Sequence, residues 1–455
     1  MRYAHHSLLG ALCFLLTAAS LAAAAAGGEW NEEWRAATAA DLNTAPTLPD
    51  LSSDPDLRDY LTYAALNNPR LEAAFLEWKA TGARIPQVTA LPDPQLSYAY
   101  YIREVETRVG PQEHRLSVSQ KIPWFGKLSL KGKAASEAAA AARARYEARK
   151  LDLFHEVTAA YYVYAYLARA VEIARENLLL WGDLESVARI KYAAGSVPHS
   201  VVIQAQVELG KQEDNLQTLE GRREPVVARL NASLNRPSHE PLPWPAEIQV
   251  DSLIIGESEL HERLRERNPE LLALENTVDQ AEHGIALAKK QRYPDIILGG
   301  GYIFTGEALN PELNESGKDP ITASISINLP IWFGKYAAAE REARARRLSA
   351  SRRHRQLGNR LESRLETALY NYEDAERKAD LYGNTLIPKG RQALRVTRQA
   401  FEAGDATFIN FIDAQRTLLE FELAYERARA NQATYLSELE TLTGGPLTNE
   451  ETRRN

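Results

Sequence analysis

The 455-residue chain has almost no sulfur: one cysteine, Cys13, and one methionine, Met1. Behind the leader that holds Cys13 there is no thiol, so disulfides, thiolate metal sites and a cysteine nucleophile are excluded. Long apolar runs are missing beyond the first 26 residues, and no helix is expected to cross a bilayer core of about 30 Å. Phosphate loops and nucleophile elbows are absent too, so no enzyme is expected. Seven histidines follow the leader: His114, His155, His199, His239, His261, His283 and His354. None has a second His, Cys or Met at ligand spacing, so no metal site and no cofactor is expected. A formal charge of −7 gives no reason to expect nucleic acid as a partner. With 44% hydrophobic residues, the chain is also not a disordered one.

What is present begins with a secretory signal over residues 1–26. Arg2 supplies the charge, Leu8 to Leu21 the apolar core, and Ala22 to Ala26 the small residues before cleavage. Cys13 follows Leu12 inside that core and does not read as a lipidation site. Residues 27–55 are acidic, proline-containing and aperiodic, and are expected as an extended leader. A first unit then runs over 56–235. Its opening helical pattern is interrupted at Asn68-Pro69, and Pro86, Pro92 and Pro94 are expected to forbid further helix. A hairpin over 95–122 alternates Leu96, Tyr98, Tyr100 and Ile102, then Leu116, Val118 and Ile122, against polar neighbours. No proline occurs from Lys127 to Ala193, and Phe154, Val157, Tyr161, Tyr164, Ala168 and Val171 step by three and four. That predicts one helix of about 100 Å over 127–193. Gly195 ends it, and a second helix is expected over 198–234.

A proline-rich bridge over 236–257 separates this unit from a second of the same order over 258–445. The second has Asn268-Pro269, a hairpin over 295–329, a long helix over 335–402 and a last helix over 406–442, before a tail over 446–455. Pro123-Trp124-Phe125-Gly126-Lys127 returns as Pro330-Ile331-Trp332-Phe333-Gly334-Lys335. Thr158, Tyr161, Gly195 and Ala205-Gln206 return as Thr367, Tyr370, Gly404 and Ala414-Gln415 in constant register. The chain reads as two copies of one helix, hairpin, long-helix, helix unit.

The hairpins decide the class. Two isolated hairpins with apolar faces are unstable in water, while their alternation fits transmembrane strands. Trp124, Phe125, Trp332 and Phe333 stand where interfacial aromatics would lie. Strands in lipid must close into a barrel. Four cannot close, but three copies supply twelve strands above twelve helical columns. The expected fold is mostly α with a small transmembrane β part.

In these features the chain resembles the TolC family of outer-membrane efflux channels, over nearly all of the mature chain. The duplicated unit carries the resemblance, with the corners and the turns Tyr192-Ala-Ala-Gly195-Ser196 and Phe401-Glu-Ala-Gly404-Asp405. The corner is most similar to the heavy-metal branch, the CzcC-like and CusC-like channels. The resemblance implies a homotrimer in outer-membrane lipid: a 12-stranded β-barrel joined to an α-helical barrel in the periplasm. It implies a passive duct served by a periplasmic adaptor and an inner-membrane pump of the RND type. The turns at Tyr192, Gly195, Ser196, Phe401, Gly404 and Asp405 would meet the adaptor. Asp413, Asn410 and Asp405 would line the periplasmic aperture, with Asp405 also placed to cap the last helix. The basic stretch Arg346 to Arg355 reads as a solvated helical face, and the tyrosines from Tyr161 to Tyr166 as packing residues. The alternatives are a periplasmic coiled-coil adaptor or scaffold without a pore, and a duct for drugs or a secreted polypeptide.

Overall fold

The computed structural model describes residues 26–245, 248, 250, 252–310 and 314–447. The signal up to residue 25 and the tail beyond 447 lie outside them. The chain divides into two units. A helical unit is drawn from Met1–Leu76, Arg145–Pro269 and Gly358–Asn455. A sheet unit is drawn from Glu77–Ala144 and Glu270–Leu357.

The first helix is a departure from expectation. Residues 27–55 are not wholly extended, because α1 spans Ala26–Asp41. Trp34 and Thr38, one turn apart, are fully buried, and that face outweighs the aperiodic composition. Next come α2 (Leu57–Asn67) and α3 (Pro69–Thr89). Asp56 caps α2 in a reciprocal box with Asp59. The following proline forces Asn68 into the extended region, which ends α2. The Asn68 amide then donates to the Ser233 carbonyl at 3.0 Å. The second Asn-Pro behaves alike. Asn268 ends α7 (Glu257–Arg267) before α8 (Pro269–Lys290), and its amide donates to the Leu442 carbonyl at 3.0 Å.

Three differences in the helices fall at prolines. α3 continues through Pro86 to Thr89, where Pro86 had been expected to begin the stop. The helix expected over 198–234 is broken into α5 (His199–Gly221) and α6 (Arg223–Ser233), with Pro225 in the first turn of the second piece. α4 (Lys127–Ala193) is continuous. Its counterpart is α9 (Phe333–Asp380), a π-helical segment (Leu381–Leu386) and α10 (Ile387–Ala403). Pro388 lacks the N–H that would complete the ladder, and its ring crowds the carbonyl four residues back. The wider π turn absorbs both defects. α11 (Phe408–Thr443) completes the helices. Tyr161, Tyr162 and Tyr164 are buried among them, as packing residues.

In the sheet unit, β1 (Gln95–Thr107), β2 (Gly110–Ile122), β3 (Ile296–Thr305) and β4 (Ile321–Ile327) form one antiparallel sheet in the order β1-β2-β3-β4. Paired residues share a face. One row joins Tyr98, Leu116, Tyr302 and Ile321, and the next joins Leu96, Val118, Gly300 and Ala323. The opposite face joins Ser97, Ser117, Gly301 and Thr322, and beside them Ser119, Gly299 and Ser324. A Cβ on Gly299 would come within 2.6 Å of the Ser324 hydroxyl, so this small, polar face is also the crowded one.

Candidate functional site

The two turns that close the long helices lie in the helical unit. Gly195 has φ of +69° and Gly404 of +90°, a conformation that an L side chain resists and that each turn needs. Trp181, Leu184, Ala188, Val202, Ala205, Phe401, Phe408, Phe411 and Ile412 pack together behind them. Lys191 joins the two turns. Its ammonium lies over the Phe401 ring and donates to the Phe401 and Glu402 carbonyls at 3.1 and 3.0 Å.

Polar bonds continue the contact between α4, α5 and α11. Gln206 donates to Glu185 at 3.0 Å, and Gln415 donates to Asn177 at 2.6 Å, so both glutamines of the repeated Ala-Gln pair serve the helix contact. Glu208 accepts from Arg416 at 2.6 Å and pairs with Lys211 at 2.8 Å. Burial works to raise the Glu208 pKa, but the two cations outweigh it and the pKa is lowered.

The expected site residues divide. Tyr192, Gly195, Ser196, Gly404 and Asp405 are exposed at the turns, with the Tyr192 ring 4.9 Å from that of His199. Phe401 is only 6% exposed, its ring in the core beside Phe408. A surface role for its side chain is therefore corrected. Asp405 does not cap α11 either. Thr407 is the N-cap residue, and its hydroxyl accepts from the Asn410 N–H while pairing with the Asn410 side chain. Asn410 is thus held by the cap, and Asp413, one turn further, is exposed. Arg416 is 4.0 Å from Asp413 but makes its short bond to Glu208. Arg398 is taken by Glu402 at 3.0 Å.

In the sheet unit, the first corner is built around Asp295. Its carboxylate takes Lys127 at 2.7 Å, Lys121 at 3.0 Å and the Trp124 N–H at 3.1 Å. Lys127 also donates to the Tyr293 carbonyl at 2.8 Å, and Trp124 stacks on Tyr293 at 5.5 Å. Burial alone would raise the Asp295 pKa, but Lys127, the Trp124 N–H and Lys121 hold it down at about 2. Phe125, Trp332 and Phe333 are exposed.

Reasoning from the sequence missed the aromatic rows that run across β1, β2 and β3. Tyr100, His114 and Phe304 are in register, and Tyr98 and Tyr302 stand in the row below. The Tyr98 hydroxyl is 2.8 Å from His114 Nδ1. The signal was available: β1 and β3 each carry two aromatics two residues apart, Tyr98 with Tyr100 and Tyr302 with Phe304. Glu257, His261 and Glu366 also meet, their ligand atoms within 4.8 Å. Glu366 lies on α9, far from His261 along the chain, so no local spacing announces the contact. His261 Nε2 lies 3.1 Å from Glu366, and both carboxylates are exposed.

The sequence model of the family described as outer membrane efflux protein matches residues 61–236 and 260–445. The chain belongs to this family. The efflux chain is 23% identical over 394 residues to the cobalt-zinc-cadmium resistance protein CzcC of Cupriavidus metallidurans, covering 84% of this chain and 88% of that one. Its fold is that of solved outer-membrane channels. The CusC structure superposes with a TM-score of 0.72 at 19% identity, over 87% of this chain and 93% of that one. The open state of the Neisseria gonorrhoeae MtrE channel gives 0.71 at 22% identity, over 87% and 90%. The family drawn from the corners and turns is therefore the right one, and the efflux protein is one of the outer membrane.

Proposed function

We propose that this efflux protein is a passive homotrimeric export duct, the outer-membrane component of a tripartite system. The carrying observation is the sheet. Its apolar face lies on one side, its Ser, Thr and Gly face on the other, and its outer strands have no strand partner among the described residues. Four strands cannot close alone, and an open edge is intolerable in lipid. Three copies would give twelve strands, with the small polar face lining the lumen. Ile296 to Phe304 spans about 27 Å at roughly 3.4 Å per residue, close to the apolar band of such barrels. Trp124, Phe125, Trp332 and Phe333 would mark one lipid interface, and the Tyr100, His114 and Phe304 row the other. The two halves matched by the family model, and the two like-bonded Asn-Pro breaks, support a duplicated unit.

The turns at Gly195 and Gly404 would then meet a periplasmic adaptor through Tyr192, Ser196 and Asp405, with an RND-type pump beneath. Asp413 would face the periplasmic aperture near Asn410 and Asp405. Divalent heavy-metal ions are the cargo class supported by the relative named for cobalt, zinc and cadmium resistance. Such a duct needs no metal site of its own. Fractionation and deletion test this reading. Heat-modifiable oligomers in the outer membrane, with heightened zinc, cobalt or cadmium sensitivity on deletion, are expected. A soluble periplasmic monomer would sink the duct, and sensitivity only to organic compounds would sink the metal cargo.

A further inference from the structure

The first corner is complete within one chain, while the second lacks its partner. Asp295, in Pro294-Asp295 just before β3, receives Lys127 and the Trp124 N–H from the end of β2. The second corner ends β4 with Trp332 and Lys335 in the matching places. Lys335 is exposed and makes no ion pair among the described residues; its ammonium lies only over the Tyr336 ring at 5.9 Å. A Pro-Asp also stands just before β1, at Pro92-Asp93. Asp93 is exposed and has no ion-pair partner among the described residues. It sits at the far side of the sheet order from β4. Within one chain, acid and base stand at opposite sheet edges. Between successive copies joined β4 to β1, they would meet.

We propose that Asp93 of one copy receives Lys335 and the Trp332 N–H of the next copy. Each β4 edge is thereby locked onto a neighbouring β1 by the ion pair that locks β2 onto β3 within each chain. This rests on the oligomeric reading above and specifies its junction. The in-chain pairing also fixes the register. Ile122 opposes Ile296, and Ser119 opposes Gly299. Carried to the second copy of each strand, Ile325 opposes Tyr98, Ile327 opposes Leu96, and Ser326 opposes Ser97. That register places Ile325 and Ile327 on the face of Tyr98 and Leu96, and Ser326 on the face of Ser97, as the pleat demands. The junction differs from its in-chain counterpart in two ways. Ile331 adds one residue between Pro330 and Trp332. Asn328 stands where Lys121 supplies a second cation, so the junction carries one cation instead of two.

The chain behind the leader has no cysteine, so introduced thiols report without background. Opposed residues in an antiparallel pair are close enough for a disulfide. Ser97→Cys with Ser326→Cys should give a covalent ladder of whole copies on oxidation, and neither single variant should. The one-residue slip, Ser97→Cys with Ile325→Cys, should give none. Asp93→Lys and Lys335→Asp should each cause loss of the heat-stable oligomer, and the double reversal should restore it. A wild-type protein that is monomeric in the outer membrane would overturn the oligomeric reading itself. A wild-type oligomer in which the double reversal does no better than either single, or in which only the slipped pair crosslinks, would overturn the junction and leave the oligomer standing.

Discussion

The helical unit and the sheet unit treat large apolar side chains in opposite ways. In the helical unit Trp181, Tyr60 and Phe411 are at most 1% exposed. In the sheet unit Ile102 is 92% exposed, and Ile325 77%. The strands still alternate over most of their length, with Ile297 and Ile303 as apolar exceptions on the small face, so this is no failure of patterning. They present the pattern outward. Exposing a row of Leu, Ile and Tyr to water would forgo about 25 cal/mol for each Å² left wet. The inversion becomes favourable when the surrounding medium is lipid. In the barrel proposed above, one chain would follow one rule, burial away from water, toward two different media.

The largest expected effect tests the helical half of that contrast. Phe411→Ala removes a ring packed against Phe401 and Phe408, and should cost about 3–5 kcal/mol. Urea unfolding followed by helical circular dichroism measures this. In the sheet unit, Ile102→Ala should leave the same transition unmoved. A comparable loss at both positions would mean that the outward strand face is packed against protein.

The next effect separates the two faces of one strand. Ile325→Arg should cost about 2–4 kcal/mol if the side chain sits at mid-bilayer. Ser324→Arg, one residue away on the polar face, should be mild. The yield of heat-stable oligomer in outer membranes reads both. Equal effects would refute the assignment of faces.

At the first corner the expected loss is smaller. Asp295→Asn leaves Lys127, itself nearly buried, without its counter-charge, at a cost of about 2 kcal/mol. The pH dependence has a definite sign. The folded pKa, about 2, lies below the ordinary 3.8, so the carboxylate contributes its full stability above the ordinary value. That contribution is lost as pH falls from 3.8 toward 2. Thermal unfolding across that window should shift less in Asp295→Asn than in the wild type. A parallel shift would assign the acid sensitivity to other carboxylates.

How much of this could be read in advance follows from the range of each interaction. Strand faces depend on a period of two, so Leu96, Val118, Leu298 and Ile325 declared their side from sequence alone. The Gly195 and Gly404 turns were legible because positive φ is a local demand. The Asp295 corner was not, because its partners come from residues 121–127 and nothing local announces a bond across 168 positions. The burial of Phe401 was hidden for the same reason: its neighbours lie on other helices. The π segment before Pro388 and the break at Pro225 were legible in principle. Each is a proline inside a run that periodicity alone read as continuous helix.

The smallest expected effect on stability falls at Asp413, and it bears on a comparison within the helical unit. Glu208 and Asp413 both stand near Arg416, but only Glu208 is buried and holds the short bond. Asp413 is exposed, so Asp413→Ala should change stability by less than about 0.5 kcal/mol. Its consequence should lie in conduction. If the proposed trimer forms and α11 presents this face to the duct axis, three copies would bring three carboxylates together, each with an arginine one turn away. The neighbouring cation reduces the ring's field without cancelling it, because Arg416 is committed to Glu208. Wild-type oligomers in planar bilayers should favour cations and be blocked by divalent ions. Asp413→Ala should weaken both properties, whereas Arg416→Gln should strengthen cation preference while loosening the α5–α11 contact. Screening by salt supplies an internal check, since an exposed ring should lose selectivity steadily as ionic strength rises. Unchanged selectivity in Asp413→Ala would place the residue away from the axis. Its exposure would then be that of an ordinary solvated helix face.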